Sequence, residues 1–205
     1  VPELPRLRLS SIDPAEVDPV LFDVITSDPR LTPYLHLSLQ SGDTMILKRM
    51  KRRHSRDQAV DLCQRLKAVR PDITFGADII AGFPTEDEDM FENSLSIISE
   101  IGLPWLHVFP YSAREGTPAA KIPPVDGKIV KARAKALREA GAAVKAKHLA
   151  SRLGAEDVAL FEADGRGRLP DFSMIQVDNP PPAGSLASIR VLSATNDHLI
   201  GTLHG

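Results

Sequence analysis

An α/β sheet followed by a small antiparallel β domain is the fold this sequence predicts, and three observations carry that reading. Short apolar or alternating runs at 6–11, 34–40, 73–82 and 105–111 are separated by stretches of helical spacing, the arrangement of parallel strands joined by crossover helices. A high-propensity stretch rich in Ala, Lys and Arg over 126–152 reads as one long helix. Beyond about residue 155 four short runs (VALFEADG, DFSMIQVD, SLASIRVLSA and HLIGTL) lie between Gly- and Pro-rich turns, including Pro180-Pro181-Pro182.

RLRLSS at 6–11 reads as the first strand, and Asp13-Pro14-Ala15-Glu16 as a helix start with an acidic cap and proline in the first turn. YLHLSLQ at 34–40 alternates strictly, with Leu35, Leu37 and Leu39 on one face and His36, Ser38 and Gln40 on the other. Ser55 with Gln58 is a capping-box pattern, after which Ala59, Leu62, Cys63, Leu66 and Val69 recur at helical spacing. ITFGADIIAG at 73–82 is the next strand. Thr85 with Glu88 makes a second capping pattern ahead of Phe91, Leu95, Ile98 and Ile101, and WLHVFPY at 105–111 is a further strand. A barrel wall and an open doubly wound sheet both fit. The polar residues Gln40, Asp78, Tyr111 and Ser112 cluster toward strand C-termini, where barrels carry their chemistry, so the barrel is favoured.

Composition narrows the function classes. With 42% hydrophobic residues among 205, the chain can bury a core, which excludes general disorder. No run approaches the roughly 18 apolar residues of a membrane span, and no leader pattern opens the sequence, so a soluble, cytoplasmic protein without a membrane partner is expected. Cys63 is the single cysteine, so a disulfide scaffold, a Cys-rich zinc site and an iron–sulfur cluster all lack ligands. Twenty-five Lys and Arg against 27 Asp and Glu give a net charge of −2, which selects no partner. The sequence begins at Val1, as a fragment would.

Locally the residues say more. LQSGD at 39–43 carries a strand through glycine into a helix that Asp43 or Thr44 can cap, either an ordinary turn or an anion-receiving helix start. DIIAGFPTE at 78–86 has the form of a ligand-binding βα loop, with Asp78 either at a ligand or paired to a structural arginine. His36 and His107 occupy equivalent places in two strands and either face one cavity or act as hydrogen-bonded interior histidines. Lys48, Arg49, Lys51, Arg52, Arg53 and Arg56 put six basic residues in nine positions, and Lys128 to Arg152 adds a second stripe; these suit phosphate backbones or form solvated faces. From 155 onward seven acidic residues face only Arg166, Arg168 and Arg190, so charge contributes little to RNA binding by that domain.

RLSSIDP (8–14), HLSLQSG (36–42), LKRMKRR (47–53), DIIAGFPTE (78–86) and HVFPYSAREGTPAA (107–120) occur in this order, and together they resemble the radical S-adenosylmethionine (SAM) methylthiotransferases. The wording of RLSSIDP and of LHVFPYS resembles the branch acting on threonylcarbamoyl-adenosine in tRNA. The resemblance covers 1–150 and implies an incomplete radical SAM barrel there, with a TRAM-like β domain over 151–205. It implies S-adenosylmethionine and [4Fe–4S] clusters as cofactors of the parent protein, a 5′-deoxyadenosyl radical, and methylthiolation at carbon 2 of the adenine beside the anticodon. Matched to related radical enzymes, Gln40, Arg52 and Asp78 are the expected cofactor-binding residues, and Tyr111, Ser112 and Arg114 are expected to line the substrate mouth. A guanidinium suits the methionine carboxylate, while amide and carboxylate groups suit ribose hydroxyls or the amino group.

Departures from the family pattern sit at Asp43-Thr44-Met45 after QSG, at GFPTE where the family has GFPGE, and at PYSAREGT where it has PYSPRPGT. No cluster ligands are present, so the 205 residues are expected to be inactive alone, with tRNA as partner and self-association through a strand edge near 6–11. Two other readings remain: a non-catalytic RNA-binding module, and an unrelated βα-barrel enzyme using Asp78 and Glu86 as acid and base. A methylthiotransferase acting on a different tRNA base or on a ribosomal protein is the alternative within the family.

Overall fold

The computed structural model describes residues 3–204. Three parallel strands, β1 (Tyr34–Gln40), β2 (Thr74–Ala81) and β3 (Trp105–Pro110), are hydrogen-bonded in the order β1-β2-β3. Helix α1 (Pro19–Ser27) precedes them. Helices α2 (Thr44–Arg49) and α3 (Arg56–Val69) fill the first crossover, α4 (Glu88–Ile101) the second, and α5 (Gly127–Ser151) follows β3. Each new strand joins the far side of the last, as in a barrel wall; a doubly wound sheet would reverse its order.

The alternation in β1 sorts its side chains as expected. Leu35, Leu37 and Leu39 are buried with Leu62, Cys63 and Leu66 of α3 and with Ile97 and Ile98 of α4 in one core. Ser55 and Gln58 close a reciprocal capping box on α3. Gly42 permits the approach of α4, because a Cβ there would lie 2.5 Å from the Asn93 carbonyl oxygen and 2.6 Å from Ser94 Cα.

Four expectations are corrected. Residues 6–11 do not form a strand; Leu7 and Ile12 make isolated parallel bridges to Leu31 and Leu37. The segment is drawn aside by its arginines: Arg6 Nη2 donates to the Val158 carbonyl at 2.8 Å and Arg8 lies 4.7 Å from the Phe172 ring centroid. Asp13 caps only a 3-10 turn, Pro14–Glu16, and α1 starts instead behind Asp18 with Pro19 in its first turn. Helix α4 is capped by Asp87, whose side chain accepts from the Met90 amide; Thr85 has a left-handed backbone (φ 78°) and its hydroxyl is taken by Arg49.

The fourth correction concerns the β domain, which is not wholly antiparallel. Strands β4 (Glu156–Phe161), β5 (Gly167–Arg168), β6 (Met174–Val177), β7 (Leu186–Ala194) and β8 (Leu199–Leu203) close a barrel in the order β4-β5-β6-β8-β7, and β6 pairs with β8 in parallel. Directions cannot alternate around a ring with an odd number of strands, so closure at five forces one parallel pair.

The barrel docks on one end of the parallel sheet. The Tyr34 and Phe172 rings stack with centroids 4.5 Å apart, while Thr74 Oγ1 and Trp105 Nε1 both donate to the Asp171 carbonyl, at 2.9 and 3.0 Å. Among the described residues no helix is long and apolar enough to cross a membrane.

Candidate functional site

A cavity of about 740 Å³ opens at the C-terminal ends of β1, β2 and β3, and all six residues singled out from the motifs line it: Gln40, Arg52, Asp78, Tyr111, Ser112 and Arg114. Gln40 and Asp78 come from β1 and β2, Arg52 from the loop after α2, and Tyr111, Ser112 and Arg114 from the loop after β3. The parallel register explains the convergence, because parallel strands place their carboxyl ends, and the loops that leave them, at one edge.

Gln40 ends β1 in a left-handed conformation (φ 67°), after a register irregularity between Leu37 and Gln40. A non-glycine residue there is strained by about 1 kcal/mol or more, and such strain persists where the surroundings or a ligand's needs hold it. Lys51, also on the cavity wall, shares the left-handed region (φ 58°). Arg52 is anchored by Nη2 donating to the Ser38 carbonyl, and its Nη1 lies 3.9 Å from Asp13 Oδ2. Its buried Nε, like the buried Tyr111 hydroxyl, meets no hydrogen-bond partner among the described residues. Buried donors of this kind cost ~1–3 kcal/mol each when left unpaired. The Tyr111 ring is fixed edge-on against Phe83, with centroids 5.4 Å apart at 77°.

Among the described residues Asp78 pairs with no arginine. Its Oδ1 lies 3.1 Å from His36 Nε2 and 3.2 Å from His107 Nδ1, and His36 Nδ1 lies 3.0 Å from the Tyr34 hydroxyl. The two histidines therefore do face one interior, each at the layer of Asp78. Arg49, Lys51, Arg52 and Arg114 against Asp78 alone make the cavity wall cationic.

Other candidates are absorbed by structure. The Asp43 carboxylate accepts from the Met45 and Ile46 amides and from Asn93 Nδ2, so the six-residue α2 has its first amides filled. Glu86 is buried, accepting from the Gly82 amide at 3.0 Å and from Arg133 Nη1 at 2.8 Å. Burial pushes its carboxyl up, against the opposing effect of those donors. A carboxylate so enclosed is a structural tie and does not serve as the acid or base of a second enzyme reading. Cys63 is buried on α3, where burial pushes its thiol up to about 12. The basic run at 48–56 divides its labour: Arg53 pairs with Glu16 and Arg56 with Glu100.

Sequence reasoning named Arg49 and Lys51 only as part of a basic run and did not single out Phe83 and Phe109 on the cavity wall. Phe109 was accessible to it, since it lies two residues beyond His107 and so on the same strand face. Arg49 was not, because its aim depends on Thr85, thirty-six residues away.

Residues 25–98, which include Gln40, Arg52 and Asp78, match the Radical SAM superfamily. The chain is 51% identical over 178 residues to the threonylcarbamoyladenosine tRNA methylthiotransferase MtaB of Rickettsia prowazekii, covering 87% of this chain and 42% of that protein. It is 35% identical over 208 residues to the tRNA-2-methylthio-N(6)-dimethylallyladenosine synthase of Maricaulis maris, covering 98% of this chain and 46% of that one. The chain thus spans less than half the length of these curated relatives. Among solved structures, coproporphyrinogen III oxidase of Escherichia coli, a radical SAM enzyme, matches 96% of this chain and 50% of its own with a TM-score of 0.52 at 14% identity, a likeness of fold. The resemblance carried by the five motifs therefore holds: this chain is similar to the radical S-adenosylmethionine methylthiotransferases, and it shares more with the threonylcarbamoyladenosine enzyme than with the dimethylallyladenosine enzyme.

Proposed function

We propose that this chain is part of a tRNA methylthiotransferase that modifies carbon 2 of threonylcarbamoyl-adenosine, and that its cavity binds S-adenosylmethionine. The observation that carries the reading is the convergence of Gln40, Arg52 and Asp78 on one cavity. The donor set fits the cofactor. Arg52 offers its part-exposed guanidinium to the methionine carboxylate, Asp78 accepts from the amino group or a ribose hydroxyl, and the Gln40 amide can serve either. S-adenosylmethionine, when bound, supplies the methyl group of the product. Tyr111, Ser112 and Arg114 stand on the loop after β3 and receive the substrate at the mouth, with Arg114 positioned for a tRNA phosphate.

A [4Fe–4S] cluster does not fit the residues of this chain. Cys63 is its only cysteine, and the buried thiol holds its proton up to about 12, whereas cluster ligands are thiolates. The 205 residues are therefore inactive by themselves, and the cluster ligands belong to the parent protein. The parallel sheet over 1–150 is the incomplete radical SAM barrel, and the closed β-barrel over 151–205 is TRAM-like. The partner, tRNA, puts the protein in the cytoplasm.

Equilibrium dialysis of labelled S-adenosylmethionine against the chain tests the cavity. Arg52→Ala and Asp78→Asn are expected to weaken binding roughly tenfold or more, as the loss of a charge-assisted bond does. Unchanged binding in both variants overturns the assignment. Methylthiolation of tRNA by the isolated, iron-reconstituted chain overturns its inactivity. The second reading, an RNA-binding module, is favoured by the four cations on the cavity wall. It requires RNA affinity that falls steeply with salt and is indifferent to S-adenosylmethionine.

A further inference from the structure

Below the cavity, one layer of the sheet's inner face holds His36 from β1, Asp78 from β2 and His107 from β3. Their nearest ligand atoms all lie within 4.8 Å of one another. Asp78 Oδ1 is 3.1 Å from His36 Nε2 and 3.2 Å from His107 Nδ1. Ligand atoms held ~2.0–2.1 Å from one metal are separated by about 3.3 Å in a tetrahedral shell, so these three atoms need little movement to share an ion. Two imidazoles and one carboxylate, with further positions open to water, are the donor set of zinc and of non-haem iron(II).

We propose that His36, Asp78 and His107 form a binding site for one divalent first-row transition-metal ion, zinc or iron(II). The surroundings are those of a built site. His36 is buried, and its other ring nitrogen faces the Tyr34 hydroxyl at 3.0 Å, the second-sphere contact that fixes the tautomer and aim of a ligating imidazole. Gly76, the β1-register partner of His36, leaves room for that ring, since a Cβ there would stand 2.8 Å from His36 Nδ1. His107 is more than half exposed, which gives an ion an entry path and water ligands. Metal binding needs the proton on His36 Nδ1 and on His107 Nε2, and both positions are free to carry it: one meets the tyrosine oxygen, the other solvent. Asp78 keeps Oδ2 for the cavity, whose lining includes neither histidine, so metal and S-adenosylmethionine need not exclude each other.

The test uses the untagged 205-residue chain, stripped with chelator, titrated with Zn(II) in a calorimeter and with Co(II) followed by visible absorption. One equivalent per chain is expected, with the d–d bands of cobalt in a nitrogen and oxygen site. His107→Ala, an exposed position that leaves the fold intact, removes the bands and weakens zinc binding at least roughly tenfold, and Tyr34→Phe weakens it by about tenfold or more through the second sphere. Circular dichroism establishes that each variant is folded. Substoichiometric binding, or equal affinity in wild type and His107→Ala, overturns the site and leaves surface histidines such as His198 and His204 as the binders. The same samples are dialysed against S-adenosylmethionine: cofactor binding retained by His107→Ala separates the fate of this proposal from that of the cavity.

Discussion

Arg52 shows how one side chain can be both anchored and available: Nη2 is spent on the Ser38 carbonyl while about a quarter of the side chain stays exposed on the cavity wall. Lysine at this position would keep the charge and lose the fork, so Arg52→Lys is expected to bind S-adenosylmethionine as poorly as Arg52→Ala, measured by dialysis. Cys63 gives an opposite expectation, of inertness. With its thiol raised to about 12 by burial, it should be unreactive toward a disulfide reagent in the native protein and react fully in denaturant, a difference read by absorbance. Gln40, Arg52 and Asp78 were singled out through the family resemblance, on the motifs HLSLQSG, LKRMKRR and DIIAGFPTE, and the fold brings the three to one cavity. The grouping of His36 and His107 around a shared Asp78 oxygen was half legible: equivalent places in two strands suggested one interior, but the third member depends on the β1-β2-β3 register.

At the scale of elements, the helices are tied to the sheet by charged contacts as well as by apolar faces. Arg133 of α5 bonds Glu86 at 2.8 Å and Glu88 at 2.9 Å, which joins α5 to the start of α4 beneath the β2 loop. Glu86→Ala strands a buried guanidinium and is expected to destabilise the protein by about 3–5 kcal/mol, whereas Lys135→Ala on the exposed face of α5 should cost about 0.5 kcal/mol or less; urea titration compares them. Strand positions were read closely because period-two alternation is a local property. Helix starts were read less well. At α4 the capping pattern pointed to Thr85, but Arg49 takes the threonine hydroxyl, a tertiary contact no local pattern contains, and Asp87 caps the helix. Residues 6–11 failed as a strand for the same reason, their arginines being drawn to the β-barrel.

For the whole molecule the joint between sheet and barrel decides behaviour. Trp105, the single tryptophan, donates to Asp171 across it, and Asp171 also holds His148 of α5 at 3.1 Å. Burial pushes the Asp171 carboxyl up, but His148, Arg152 and the Ser173 amide outweigh it and hold it below the usual 3.8. Its contribution to stability is complete above that value and lost as pH falls through the depressed one. Tyr34 and Cys63, both raised to about 12, keep their protons longer in the folded state than in the unfolded one. Stability therefore also declines as pH rises from about 9 toward 12, and thermal melts followed by Trp105 fluorescence across pH should show both limbs. Phe172→Ala, which removes the ring stacked on Tyr34, is expected to cost about 3 kcal/mol and split a single melt into two. Self-association through the 6–11 backbone, which among the described residues is bridged at Leu7 and, just beyond it, at Ile12, is expected in sedimentation at high concentration. The left-handed backbone at Gln40 bears on how such a protein can be evolved in the laboratory. Glycine at 40 relaxes that backbone and removes the amide in one step. A library screened for heat resistance alone would thus enrich Gln40→Gly and drift toward hardier variants with an emptied pocket, so selection must reward ligand retention at every round.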